Sequence, residues 1–322
     1  MRLLQSPEGS GYPAEYLVAR ICGRRGHFVR DWNGMLLSPE PLETLLPAHY
    51  RGLISEYSKE GIWKRMSKEY RWVYLQMNSR LREIFLPFFI YSEIKTAVLC
   101  FRYKSGKETA ADVEGVLAFS LLSKEVRDTI MKAADMRPLL EEFEGRFLSP
   151  SARPRGLGEI FSKQGLKGVE EEMNNGCLEN IIGSGLHPAI KYFFDLLADM
   201  RNIIALHKHI RWGLRTGPAF ISGGSIGRAD LERTARSRRP GSLSRLIFRL
   251  TAVALRELSA SAVENTLLLF MTKRIRLNAK EHPDIGLLLD YLWRIHIETR
   301  NIGLVLYGRG AAGLDIRKEL LV

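Results

Sequence analysis

"IETRNIGLVLYG", residues 297–308, is an apolar run that carries Glu298, Arg300 and Asn301 through its middle. Read as a helix, it puts Glu298 and Asn301 on one face, because positions i and i+3 are neighbours, and turns Arg300 elsewhere. The arrangement recurs. "ADMRNIIALHKHIRWG" carries Asp199, Arg201 and Asn202 ahead of Ile203 and Ile204, and "YSEIKTAVLCFRYKSG" carries Glu93, Lys95 and Thr96 ahead of Ala97 and Val98. Each copy has an acid, a base two positions on, a small polar residue and an apolar run ending near glycine. The acids stand 106 and 99 positions apart. "HPAIKYFFD" and "HPDIGLLLD" share H-P-x-I-x-x-x-x-D before two of the copies; the copy at Glu298 has four more residues between proline and acid, about one helical turn.

Helical spacing dominates the rest of the chain. In "WKRMSKEYRWVYLQM", Trp63, Met66, Tyr70, Val73 and Met77 fall on one face, with Lys64, Arg65, Lys68, Glu69 and Arg71 on a solvated one. "LSRLIFRLTAVALRELSASAVENTLLLFMTKRIR" reads as one or two long helices. Pro188 and Pro283 sit where a helix's first turn accepts proline, and Gly213 and Gly308 stop those helices. Strand alternation is nearly missing, with "AFISGGSI" offering at most a short extended piece. "PEPLETLL", "MRPLLEEF" and "GSLSRLIF" each read as a short helix after an opening one. The expectation is an all-α chain of three similar repeats, residues 1–109, 110–217 and 218–322. Their length is that of a domain, far beyond solenoid repeats of roughly 20–50 residues.

Of 322 residues, 45% are hydrophobic and 26% charged, as in a soluble globular protein. The net charge of +12 points to an anionic partner: nucleic acid, an acidic lipid surface or an acidic protein. Cys22, Cys100 and Cys177 lie far apart, form no CxxC, and read as free thiols of a reducing compartment. Pro7 and Gly9 interrupt the start before an apolar run could serve as a signal peptide. "IFLPFFIYSEIKTAVLCF" is broken by Pro87, Glu93 and Lys95 and reads as a poor membrane span. A cytosolic location follows.

Chemistry-bearing patterns are thin. His207 and His209, at i and i+2, face apart on a helix, unlike the i, i+4 pair of zinc enzymes; they read as exposed or capping side chains. "GLGEIFSKQGLKG" lacks the G-K-S/T and the preceding strand of a phosphate loop, so no nucleotide or other cofactor is expected. Asp195 and Asp199 share a face, but no second acidic pair matches them, and no metal is expected. G-x-S-x-G does not occur. A polar cluster repeated three times in degenerate form suits scaffolding or partner contact better than catalysis, since buried polar groups are normally paired.

"AEYLVARICGRRGHFV", the two "RNI" helices, "FISGGSI" and the terminal "LDIRKELLV" occur in an order and spacing that resembles the C subunits of archaeal and bacterial V-type (V/A-type) rotary ATPases, a family whose eukaryotic counterparts are the d subunits. The resemblance spans nearly the whole chain. It implies three helical bundles in a pseudo-threefold, funnel-like arrangement. It also implies a non-catalytic component on the cytoplasmic face of the proteolipid rotor ring, which receives the foot of the central shaft and passes torque between them. Arg20, Arg24 and Arg25 match the family's opening helix and are candidates for a partner-facing surface. Arg201, Asn202, Arg300 and Asn301 match its repeated helices, while Lys95-Thr96 departs from Arg-Asn.

The run Arg228, Arg233, Arg236, Arg238, Arg239, Arg245 and Arg249 is not explained by the resemblance. It suits phosphates or an acidic partner. Phe248 is the only aromatic within it, which leaves no stacking platform for bases, and nucleic acid is not expected. An anionic membrane surface is the physical alternative. A basic all-α nucleic-acid scaffold and a helical metal-dependent enzyme are the competing readings.

Overall fold

In the computed structural model, residues 3–38, 40–47, 59–106, 108–148, 156–308 and 316–321 are described. Fourteen α-helices follow one another among them. The first eight are α1 (Ala14–Arg24), α2 (Trp32–Leu37), α3 (Leu42–Leu45), α4 (Lys59–Gln76), α5 (Ser79–Ser105), α6 (Ala110–Leu117), α7 (Lys124–Lys132) and α8 (Met136–Glu142). A π-helical turn at Phe143–Phe147 precedes α9 (Leu157–Ile182), α10 (Pro188–Arg211), α11 (Arg228–Ser237), α12 (Pro240–Thr251), α13 (Ala260–Glu281) and α14 (Pro283–Gly308). No strand occurs among the described residues; extended pairing is confined to isolated bridges, Leu4 with Leu122 and Tyr12 with Met77. The chain is all-α.

By packing the chain divides into two compact units, Met1–Arg20 with Gly52–Leu186, and Ile21–Arg51 with His187–Val322. In the first, α5 is the central helix. Asn78 caps it by accepting from the Leu81 N–H at 2.9 Å. Its aromatic run buries Phe85, Phe89 and Phe101 completely, each contributing about 2–3 kcal/mol by area. α6 and α9 pack against it, and Arg102 grips Glu170 of α9 through two bonds of 2.9 and 2.8 Å. By length and composition α5 would also span a membrane, but 61% of its most apolar window is buried inside the protein; this is a core helix, apolar on most sides because neighbours cover most sides.

The face expected for α4 is only partly buried. Tyr70 and Val73, with Met77 just beyond the helix, are in the core, but Trp63 is 46% exposed and Glu69, expected in solvent, is buried. The stripe extends past the surface it packs against, so Trp63 stays wet.

In the second unit α10 is capped by His187, whose Nδ1 accepts from the Ala189 N–H, with Pro188 at the first helical position. α11, α12 and α13 all pack on α10. Ile203, Leu206, Leu231, Leu243, Ile247 and Val263 form their shared core. The long apolar stretch from Leu243 onward resolves into two helices. Ala252 takes a left-handed φ of 60° after α12, and Ser259 caps α13 by accepting from the Ala262 N–H. α13 and α14 cross closely at Gly286, where a Cβ would meet Ala279 Cα at 2.6 Å; only glycine fits.

Candidate functional site

The repeated acid–base–amide clusters lie on α5, α10 and α14, and their acids and asparagines are buried: Glu93, Asp199, Asn202, Glu298 and Asn301 are each at most 4% exposed. In every copy the partner is the backbone of a non-helical segment.

On α10, the Asn202 amide donates to the Ile221 carbonyl at 3.0 Å and accepts from the Ile221 N–H at 2.8 Å. One turn back, Asp199 accepts from the Ser225 N–H at 2.9 Å, the Ser225 hydroxyl at 2.7 Å and the Ile226 N–H at 3.0 Å. The segment "ISGGSI" is thus strapped to α10 at two points. Its approach is so close that a Cβ on Gly224, whose φ is +90°, would stand 2.4 Å from Asp199 Oδ1. The two glycines let the backbone come within reach of the carboxylate.

On α14, the Asn301 amide treats Leu321 as Asn202 treats Ile221, donating to its carbonyl at 2.7 Å and accepting from its N–H at 3.2 Å. Glu298 accepts from the Val29 N–H at 2.7 Å. Arg300 donates to the Glu319 carbonyl at 2.8 Å and to Asn265 Oδ1 at 2.6 Å, which fixes the chain terminus from the next helical position. Burial pulls its guanidinium below the ordinary arginine range, opposed by Glu264 and Glu319. Earlier on α14, buried Asp290 pairs with Arg25 at 2.5 Å and with Arg294 at 3.0 Å.

On α5, Glu93 accepts from the Leu121 N–H at 3.0 Å. That segment pairs in turn with the N-terminus, the Gln5 N–H donating to the Leu121 carbonyl and the Ser123 N–H to the Leu3 carbonyl, both at 2.8 Å. Thr96 cannot offer the two-sided grip of an amide. Burial pushes the Glu93 carboxyl up to about 7, only partly offset by the Leu121 N–H and the Thr96 hydroxyl. Asp199 is also raised by burial, but its Ser225 and Ile226 donors oppose the rise. Lys95 is exposed, its ammonium 4.6 Å from the centre of the Tyr91 ring.

Arg20 and Arg24 of α1 and Arg25 just after it separate. Arg20 is exposed, its guanidinium between 5.6 and 5.9 Å from the rings of Tyr12, Trp72 and Tyr16. Arg24 donates to the Tyr291 hydroxyl, and Arg25 to Asp290 and the Leu287 carbonyl. Arg201 is half-buried. The two histidines differ from expectation. Both are buried, and His207 Nε2 meets the Leu258 carbonyl at 2.9 Å; α11, α12 and α13 wrap enough of α10 that facing apart no longer means facing water. Asp195 binds Lys191 at 2.6 Å rather than joining Asp199, and no group of three metal-ligating side chains occurs among the described residues. Cys100 and Cys177 are buried thiols pushed up to about 12 by burial, and Cys22 is exposed. Each cluster carboxylate accepts from at least one backbone N–H of another segment, which suits it to holding that segment.

The sequence model of the family described as ATP synthase (C/AC39) subunit matches residues 55–315. The chain belongs to this V-type ATP synthase subunit family. The AC39 match covers all three polar clusters and begins after Arg20, Arg24 and Arg25. Members of the AC39 family are peripheral accessory subunits of the V-type ATPase, generally non-catalytic. Among curated proteins no sequence matches the chain.

The partners that hold each AC39 cluster in place, Val29, Leu121, Ile221, Ser225 and Leu321, are the residues that sequence reasoning misses. Only "GG" in "FISGGSI" offers a signal, since paired glycines mark a close backbone approach.

Proposed function

We propose that this chain is the socket of a rotary V-type ATPase or ATP synthase central stalk. It receives the foot of the rotating shaft and couples it to the membrane proteolipid ring in proton or sodium transport, from the cytoplasmic side and without catalysing a reaction itself. The observation that carries the reading is the trio of straps made by buried carboxylates. Glu93 holds the segment at Leu121, Asp199 the one at Ser225, and Glu298 the one at Val29. In this reading each belongs to one of three similar bundles, residues 1–109, 110–217 and 218–322, arranged as a funnel. Each long helix holds the segment that opens the next repeat, and the last holds that of the first. A part that transmits torque must not yield at its joints, and buried side-chain-to-backbone pairs are costly to break. Exposed Arg20 is the partner-facing member of the opening helix, while Arg24 and Arg25 hold α14.

The test is size-exclusion chromatography of the chain mixed with the shaft subunits of its own organism, with a short DNA duplex in parallel. A stoichiometric complex with the shaft and none with DNA at physiological salt is the expected result. Binding to DNA alone would replace the socket by a basic nucleic-acid scaffold.

A further inference from the structure

The chain's charge is concentrated in one stretch. Residues 200–256 hold twelve Arg and Lys against two acids, Asp230 and Glu232, so this part accounts for +10 of the net +12. The two acids are engaged together, Asp230 by Arg233 and Arg249, Glu232 by Arg228. Arg211, Arg215, Arg236, Arg238 and Arg239 form no ion pair among the described residues, and all five are exposed.

These five gather at one end of the α11–α12 hairpin. α10 ends at Arg211, and Gly213 reverses the chain with a φ of +59°. The Leu214 N–H returns to the His209 carbonyl at 3.1 Å. Arg238, at the close of α11, donates to the Leu214 carbonyl at 3.3 Å and so joins the turn to the arginines of "RSRR". Every residue from Arg211 to Gly217 is exposed, and the turn presents Trp212 at 62% and Leu214 at 42% between its arginines.

We propose that this tip is a docking surface for an anionic phospholipid membrane. Guanidinium groups pair bidentately with headgroup phosphates. A tryptophan and a leucine projecting between them match the amphipathic level where aromatic side chains sit at a bilayer surface. The projecting form of the turn decides for lipid over an acidic protein. Headgroups part to admit a protruding side chain, whereas a folded partner would need a cavity shaped to Trp212. The inference is independent of the socket reading, because it requires no shaft.

The test is co-sedimentation of the purified full chain with phosphatidylcholine vesicles, alone or with about one-third phosphatidylglycerol. Three variants are compared: Arg211→Gln/Arg215→Gln/Arg239→Gln, Trp212→Ala/Leu214→Ala, and a control of equal charge loss on exposed lysines of the other unit, Lys124→Gln/Lys163→Gln/Lys167→Gln. The wild type is expected to bind only the anionic vesicles, less so in high salt. The arginine variant should bind roughly a hundredfold more weakly, at about tenfold or less per residue. The apolar variant should lose several-fold, and the lysine control should bind like wild type. Circular dichroism melts report that each variant is folded. Equal losses in the arginine variant and the lysine control, or wild-type binding by both tip variants, would overturn the proposal. So would tip-dependent binding to the shaft subunits in the absence of vesicle binding.

Discussion

The strap on α10 and the strap on α5 occupy corresponding positions in a repeated motif, yet they are built to different standards. On α10, an aspartate with three donors and an asparagine with a two-sided grip hold one segment at both ends. On α5, a single glutamate oxygen accepts one backbone N–H, and threonine stands where the asparagine would be. Both acids are buried, so both incur the desolvation cost of a charge. The α10 carboxylate receives three donors that oppose this cost, and the α5 carboxylate receives fewer. What the motif repeats, then, is a geometry of capture. The donors supplied to each copy set how firmly it holds and whether pH can loosen it.

The comparison can be broken first at the amides. Asn202→Ala would leave the Ile221 N–H and carbonyl buried without partners, and is expected to cost about 2–4 kcal/mol in urea unfolding. Thr96→Val should cost under about 1 kcal/mol. Equal losses would mean that the amide grip adds nothing. The close approach comes next. Gly224→Ala places a methyl group against Asp199 at a φ that L-residues avoid, with an expected cost of about 1–3 kcal/mol. Gly217→Ala, in open space with no positive φ, should stay within about 0.5 kcal/mol. Matching melts for the two alanine variants would show that the strap tolerates a wider gap than the structure gives it.

How much is legible in the sequence depends on which partner carries the signal. Helices are legible because apolar side chains recur at helical spacing, and the i, i+3 pairing of acid and amide is legible for the same reason. The three-copy pattern points to structure over catalysis without naming what the side chains hold. Backbone N–H and C=O groups are alike in every residue, so nothing at Val29, Leu121 or Leu321 distinguishes them as targets. Glu298 and Val29 are also 269 positions apart. Burial from several directions hides the rest. Counting faces on one helix sends His207 and His209 to solvent, because it ignores how many neighbours that helix has. Trp63 is the opposite case, because a periodic stripe does not reveal where its packing surface ends.

The smallest effect is the most discriminating. The Glu93 carboxyl, pushed up to about 7 in the folded chain, is neutral more readily there than in the unfolded chain, where its pKa lies near 4.5. Its contribution to stability is therefore fully present below about pH 4.5 and is lost as the pH rises through about 7. Glu93→Gln keeps an oxygen for the Leu121 N–H and offers an N–H toward the Thr96 hydroxyl, which can accept. It should match wild type in acid and exceed it by on the order of 1–2 kcal/mol at mildly alkaline pH, read as the gap between the two melting curves. Asp199→Asn cannot behave this way. Backbone donors face both of its oxygens, so one would meet the amide's own N–H groups, and that variant should be the weaker at every pH. If Glu93→Gln ran parallel to wild type across the range, the two straps would share one electrostatic standard after all.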